Sequence, residues 1–313
     1  MNDDALISKC FFLETSAHQA SKNLDSLIVF CIVLHALSFI PAAIGNGIIS
    51  LTTSKSRSLQ TPSFVLLGCT AFADALTGFI AQPIAMASFV VKLRKQFPSA
   101  CYLDAVKECL GWPLGGISLS ILALLSIERY LVLHLGLPRY CAVVNVRRVL
   151  VVVAMFSVSL IILEVLRFHV LSNKSYVVIH LPFMFLGLLI LTLSYLSIDR
   201  HIRRRTLIIE PKPSQQLQEM NSFDIKKYER VTSAVLFIVC FYWLFFAPFV
   251  CVLVAYLILG FTERIEGAYY ITTTIVLTSA AVNPILYCWK LRALRRAVVK
   301  NVKKLFYLSS YDN

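Results

Sequence analysis

Residues 111–133 read GWPLGGISLSILALLSIERYLVL. The run is apolar for most of its length and long enough to cross a bilayer, yet it ends in Glu128-Arg129-Tyr130. A charge at mid-helix in hydrocarbon costs roughly 2.5–3.5 kcal/mol on insertion scales. At a helix end the cost falls, because the long arginine stem reaches the interface and a neighbouring carboxylate offsets more through a charge-assisted pair. Arg129 so placed is a latch candidate, held by Glu128 in one state and free to find another partner in a second. An interfacial ion pair that merely ends a helix accounts for the triplet equally well.

The rest of the chain is equally greasy. Of 313 residues, 58% are apolar and only 15% charged, with a mean hydropathy of +0.74. A soluble domain is nearer half apolar and a quarter charged. Apolar runs of about twenty residues fall near 26–53, 62–92, 103–134, 147–168, 176–200, 228–259 and 268–289. The expected fold is therefore an all-α membrane protein, a seven-transmembrane helix bundle. Residues 1–25 form a polar tail, 26–289 the membrane domain, and 290–313 a cytoplasmic amphipathic helix with a short tail. The polar tail lacks the pattern of a cleavable secretory signal, so the first helix is expected to serve as the membrane address.

Basic residues set the orientation. With the N-terminus outside, twenty of the 30 Lys and Arg residues fall on the inner side, including Arg200, Arg203, Arg204, Arg205, Lys226, Lys227 and Arg230. Nine fall on the outer side, Lys92, Lys107 and Arg167 among them. This asymmetry accounts for the net charge of +13 by contact with anionic lipid and a cytoplasmic partner, and makes nucleic acid a poor reading. Polar residues within the spans each need a partner or a task. Asn46 (IGNGII), Asp74 (CTAFADAL) and Asn283 (AAVNPILY) are the leading cases. Pro248 and Pro284 each remove a backbone hydrogen bond and permit a kink.

These landmarks, in order and on successive helices, resemble a rhodopsin-like (class A) G-protein-coupled receptor across nearly all of residues 26–306. They are Gly45-Asn46, Ala73-Asp74, Glu128-Arg129-Tyr130, Tyr195, Pro248 and Asn283-Pro284-Ile285-Leu286-Tyr287, followed by a basic amphipathic stretch, 289–306, expected on the inner membrane surface. The resemblance implies that Asp74, Ser118, Ser279 and Asn283 hold a sodium ion as an allosteric ligand; a protonated aspartate in a water network is the alternative. No other cofactor is expected. Arg129 would be released from Glu128 on activation and stack with Tyr195 and Tyr287 against a heterotrimeric G protein. The family's second acid for this lock is not squarely matched, since Tyr228 holds its place and Glu229 is next to it.

Departures from the family pattern are also informative. Asp104 stands where the usual third-helix cysteine would be, the loop 169–175 has no cysteine, Gly187 replaces a fifth-helix proline, and Phe246 replaces the tryptophan before Pro248. Such absences resemble the subgroup of melanocortin, lysophospholipid, cannabinoid and adenosine receptors. Of nine cysteines, Cys10 and Cys101 are both expected outside and form a candidate disulfide; Cys101 and Cys109, about 12 Å apart along a helix, are beyond reach. Asn173-Lys174-Ser175 is a glycosylation acceptor on the outer side.

The ligand is less constrained. Gly111 occupies the place of the amine receptors' aspartate, and the seventh helix has Leu277 where opsins carry the retinal lysine. The resemblance thus implies neither a biogenic amine nor light sensing, and leaves a lipid, a peptide or another small molecule as the extracellular agonist, with Phe246 in the cavity floor. At the third-helix mouth, Lys107 beside Glu108 resembles a pair that reads zwitterionic lipids. Asp104 with Glu108, four residues apart on one face, resembles the acids of a calcium-and-peptide site; solvated helix-end charges are the plain alternative. Two other classes compete with this reading. A multi-pass secondary transporter has no support from repeated halves, and an enzyme none from HExxH or GxSxG spacing.

Overall fold

The computed structural model describes residues 7–10, 13–16, 22–135, 145–208 and 240–309, with side chains in 24–96, 98–132, 145–167, 169–201 and 240–303. Among these, seven helices are long and apolar enough to cross a membrane: Leu24–Lys55, Pro62–Leu93, Pro98–Val132, Val146–Arg167, Asn173–His201, Cys240–Leu259 and Glu263–Lys290. They are the first to seventh spans. Of the sixth-span segment expected from residue 228, positions 228–239 lie outside the described residues.

The third and seventh spans begin several residues earlier than hydropathy suggests. Polar side chains that read as loop instead start the helix. In the seventh, Thr262 accepts a hydrogen bond from the Ile265 amide, and Glu263 and Glu266 lie in the first turn, at the positive end of the helix dipole. A short antiparallel hairpin, Ile7–Cys10 with Leu13–Ser16, precedes the bundle; the tail's polar composition gave no sign of it. After the seventh span, the helix Arg292–Ser309 buries Leu294 against Ile49, Leu59 and Tyr287. Asn301 Nδ2 donates to Thr52 Oγ1 at 3.3 Å and ties it to the first span.

The bundle inverts the arrangement of a soluble core. Leu37, Phe79, Leu244 and Ile258 are exposed, whereas Asn46, Asp74, Gln82, Glu164, Arg167 and Asn283 are buried. Hydrocarbon cannot hydrogen-bond, so polar groups turn to one another. The third span is central, packing against the second, fourth, fifth and seventh. Its Trp112, Leu119 and Leu122 share a core with Met184 and Leu188 of the fifth and Phe246 and Phe249 of the sixth. The free cysteines Cys240 and Cys251, which as helix residues read as packing groups, are exposed on the sixth span.

Two π-helical turns, Pro41–Gly45 and Thr77–Ala81, interrupt the first and second spans. They let the backbones touch: a Cβ on Gly78 would lie 2.4 Å from the Ala43 amide nitrogen, so glycine alone fits. The seventh span is broken into Glu263–Ser279 and Asn283–Lys290. Pro284 has no N–H to give the Ala280 carbonyl; Asn46 Nδ2 supplies a donor at 2.8 Å. The Ala281 amide turns to the Thr278 carbonyl at 3.0 Å, and the released Leu277 carbonyl accepts from Gln82 Nε2 at 2.8 Å. Gln82 Oε1 in turn accepts from Ser38 Oγ at 2.9 Å.

Gln82→Met keeps the volume and removes both of these bonds. Leaving a buried carbonyl unsatisfied costs about 1–3 kcal/mol, which should appear as a lower thermal midpoint for the protein in nanodiscs. Gly115→Ala, whose methyl meets nothing within 4 Å, should not lower it.

Candidate functional site

At one end of the bundle the expected ligand residues Asp104, Lys107 and Glu108 are present, and they are buried, each 3–4% exposed. The solvated-charge reading does not hold. Asp104 Oδ2 meets Lys92 Nζ at 2.6 Å and Oδ1 meets Lys107 Nζ at 3.2 Å, and Ser88 donates to Oδ1. Glu108 Oε2 accepts from Trp112 Nε1 at 2.7 Å and from the Tyr269 hydroxyl at 2.5 Å, with Arg167 at 3.9 Å from it and Lys107 at 3.5 Å from Oε1. Glu164 lies 3.8 Å from Arg167 and accepts from Tyr176. The guanidinium carbon of Arg167 sits 4.1 Å from the Tyr176 ring centre, a cation–π contact. Tyr270 donates to Glu266.

Lys92, Glu164, Arg167 and Glu266 were missed as site residues. Lys92 and Arg167 read only as outer rim charges that set orientation. One signal was present: Glu164 and Arg167 are three apart in an apolar helix, and an acid and a base on one helical face inside a span point inward. Buried charges are tolerable only when paired and hydrogen-bonded; here three cations meet four acids.

Two cavities share the Lys107, Glu108 and Trp112 side chains. The one toward the bundle end, about 620 Å³, is lined by Lys92, Asp104, Arg167, Asn173, Tyr256 and Glu266 among others. The deeper one, about 530 Å³, contains Gly111 and Phe246 in its wall, with His180, Met184, Phe249 and Thr273. Asn173 is turned into the first: its Oδ1 accepts from Arg167 Nη2 at 2.9 Å and its Nδ2 donates to the Tyr256 hydroxyl at 3.2 Å. The expected glycosylation competes with this, since a sugar on Nδ2 would displace Tyr256. Cys101 is disulfide-bonded, and Cys109 is free. Strand Ile7–Cys10 packs on the third helix near it, but the side chain of Cys10 lies outside the described residues.

At mid-bundle, Asp74 is 4% exposed. Ser118 Oγ donates to its Oδ1 and Asn283 Nδ2 to its Oδ2, both at 2.7 Å. Ser279, expected with them, instead donates to the Val276 carbonyl at 2.6 Å. The structure thus brings together three of the four expected sodium ligands.

At the opposite end Glu128 is buried and Arg129 partly exposed. Glu128 Oε2 lies 3.5 Å from Arg129 Nε, and Ser63 Oγ donates to Oε1 at 2.6 Å. Tyr130 and Tyr195 are half-buried. The Tyr287 hydroxyl is buried and has no hydrogen-bond partner among the described residues. Pro248 is exposed on the sixth span, and Pro284 opens the last segment of the seventh. Glu229, with Tyr228, Lys226, Lys227 and Arg230, lies outside the described residues, as does the side chain of Arg203.

Comparison with known proteins matches this geometry to a family. A family model described as "7 transmembrane receptor (rhodopsin family)" covers residues 45–287. The chain is similar to the human olfactory receptor 2S2, with 29% identity over 98 residues, 31% of this chain and 30% of that protein. It is also similar to the putative human olfactory receptor 13C6, with 26% identity over 129 residues, 41% of this chain and 80% of that one. The match spans less than a third of the first relative's length. Nothing in either likeness carries the melanocortin, lipid-receptor or adenosine-receptor subgroup. The matched model covers all the landmarks from Asn46 to Tyr287 and describes a receptor, not an enzyme; the chain belongs to the rhodopsin family of seven-transmembrane receptors.

Proposed function

We propose that the chain sits in the plasma membrane with its N-terminus outside and its C-terminus in the cytoplasm. It binds an extracellular agonist in the cavities at the Asp104 end, and activates a heterotrimeric G protein at the Arg129 end by a shift of the sixth span near Pro248. One observation supports the two-state reading: among the described residues, the buried Tyr287 hydroxyl has no partner. An unpaired buried hydroxyl costs about 1–3 kcal/mol, so a packing that gives it a partner gains by that amount. Arg129 is suited to supply it, because its side chain is 28% exposed and its contact with Glu128 is 3.5 Å long.

In this mechanism Glu128 is kept in place by Ser63 while Arg129 leaves it and joins Tyr195 and Tyr287. The agonist favours the second packing by its differential affinity and by no more. The basic helix Arg292–Ser309 rests on anionic lipid, with Leu294 anchoring it to the bundle. A tether between Cys10 and Cys101 holds the tail hairpin over the agonist end. Sodium is a fitting allosteric ligand for Asp74: the buried carboxylate has only neutral donors, Ser118 and Asn283, hydrogen-bonded to it, so a cation would balance its charge. Asp74, Ser118 and Asn283 would hold the ion, with Ser279 joining by rotating away from its own helix.

Arg129→Ala should leave surface expression intact and abolish agonist- or constitutively driven nucleotide exchange, measured with purified G protein; full exchange by this variant would count against the mechanism. For the ion, replacing choline chloride by sodium chloride should raise the thermal midpoint of the wild-type protein by binding linkage. Asp74→Asn should abolish that sodium response.

A further inference from the structure

The deeper cavity lies between the third, fifth, sixth and seventh spans. Its wall is mostly carbon, from Trp112, Met184, Phe246 and Phe249. Besides the paired Lys107 and Glu108, the polar side chains of His180 and Thr273 line it. His180 lines the cavity from the fifth span and is 3% exposed. Its Nε2 lies 3.2 Å from the Tyr176 hydroxyl. Tyr176 has a single hydroxyl proton and gives it to Glu164, so its oxygen accepts from His180 Nε2–H. A neutral imidazole has one ring proton; Nδ1 is then an acceptor. Among the described residues that atom, buried, has no hydrogen-bond partner, and neither has Oγ1 of Thr273, which lines the same cavity from the seventh span.

The charges above the cavity are already used. Asp104 accepts from Ser88 and two lysines, and Glu108 from Trp112 and Tyr269. An occupant of the deeper cavity need bring no charge to meet them. What the cavity lacks is one donor for His180 Nδ1 and one acceptor for the Thr273 hydroxyl, beside apolar walls. An alcohol or phenol provides both from a single oxygen.

We propose that the deeper cavity binds a small uncharged molecule with an apolar body and one hydroxyl group, donating to His180 Nδ1 and accepting from Thr273 Oγ1. This rests on the reading of the chain as a receptor with its agonist at the Asp104 end, and it makes His180 and Thr273 the residues that set specificity.

The test uses the full chain in nanodiscs without G protein. 2-Phenylethanol, 2-naphthol and cyclohexylmethanol are titrated beside their hydrocarbon, amine and carboxylate counterparts, with binding read from tryptophan fluorescence. At least one alcohol should bind about five- to tenfold tighter than its counterparts. His180→Phe and Thr273→Val should each bring that alcohol to its hydrocarbon's affinity, leaving the hydrocarbon unchanged. Thr273→Val preserves shape, so it decides the matter if His180→Phe does not fold. The proposal is overturned if no alcohol binds, if a charged counterpart binds more tightly, or if Thr273→Val leaves alcohol affinity unaltered. Nucleotide release from added G protein is read separately. Alcohol binding without release overturns the signalling reading and supports the pocket; release driven only by a charged ligand does the reverse.

Discussion

A carboxylate, an amide or a backbone carbonyl facing lipid tails has no water to turn to, and the cost runs to several kcal/mol. That constraint arranges this bundle. Leucine, isoleucine and phenylalanine make its outer surface, and nearly every ionisable or amide side chain within the spans is turned inward, against a partner on another helix. Asn46 and Gln82 answer carbonyls of the seventh span, Asp74 is answered by Ser118 and Asn283, and Asp104 by Lys92 and Lys107. The apolar contacts give the helices their close packing. The polar ones decide which helix meets which.

The same constraint explains what could be read from the chain. Seven spans, the inward placing of Asn46, Asp74 and Asn283, and the break at Pro284 were legible, because each follows from a residue type that hydrocarbon penalises. Depth along a helix is given by position in the sequence, but direction around the helix is not. Lys92 and Arg167 therefore count in the sequence only as outer-side charges, whereas their side chains turn into the bundle. Gln82 carries no such signal, because its task, donating to the Leu277 carbonyl, exists only after the seventh span has broken. The π-helical turns leave no mark in hydropathy, and Gly78 explains itself only when Ala42 and Ala43 are seen against it.

The agonist end shows how dense pairing alters what a charged residue means. Asp104, Lys107 and Glu108 invite a charged ligand when read on one helix alone. Once Lys92, Glu164, Arg167 and Tyr269 close around them, they form a stiff electrostatic roof, whose members orient one another. Removing one would strand its neighbours in low dielectric, a larger loss than the pair itself is worth. His180 and Thr273 lie in the cavity that Lys107 and Glu108 of that cluster also line, among mostly apolar walls.

The broken seventh span has a mechanical meaning of its own. Where its own backbone ladder lapses, its carbonyls at Leu277 and Ala280 are gripped by side chains rooted in the second and first spans. A slide of this helix along its axis must release both grips together, and neither carbonyl finds a substitute until a new register is reached. The joint therefore behaves as a detent: it clicks between positions instead of creeping through them.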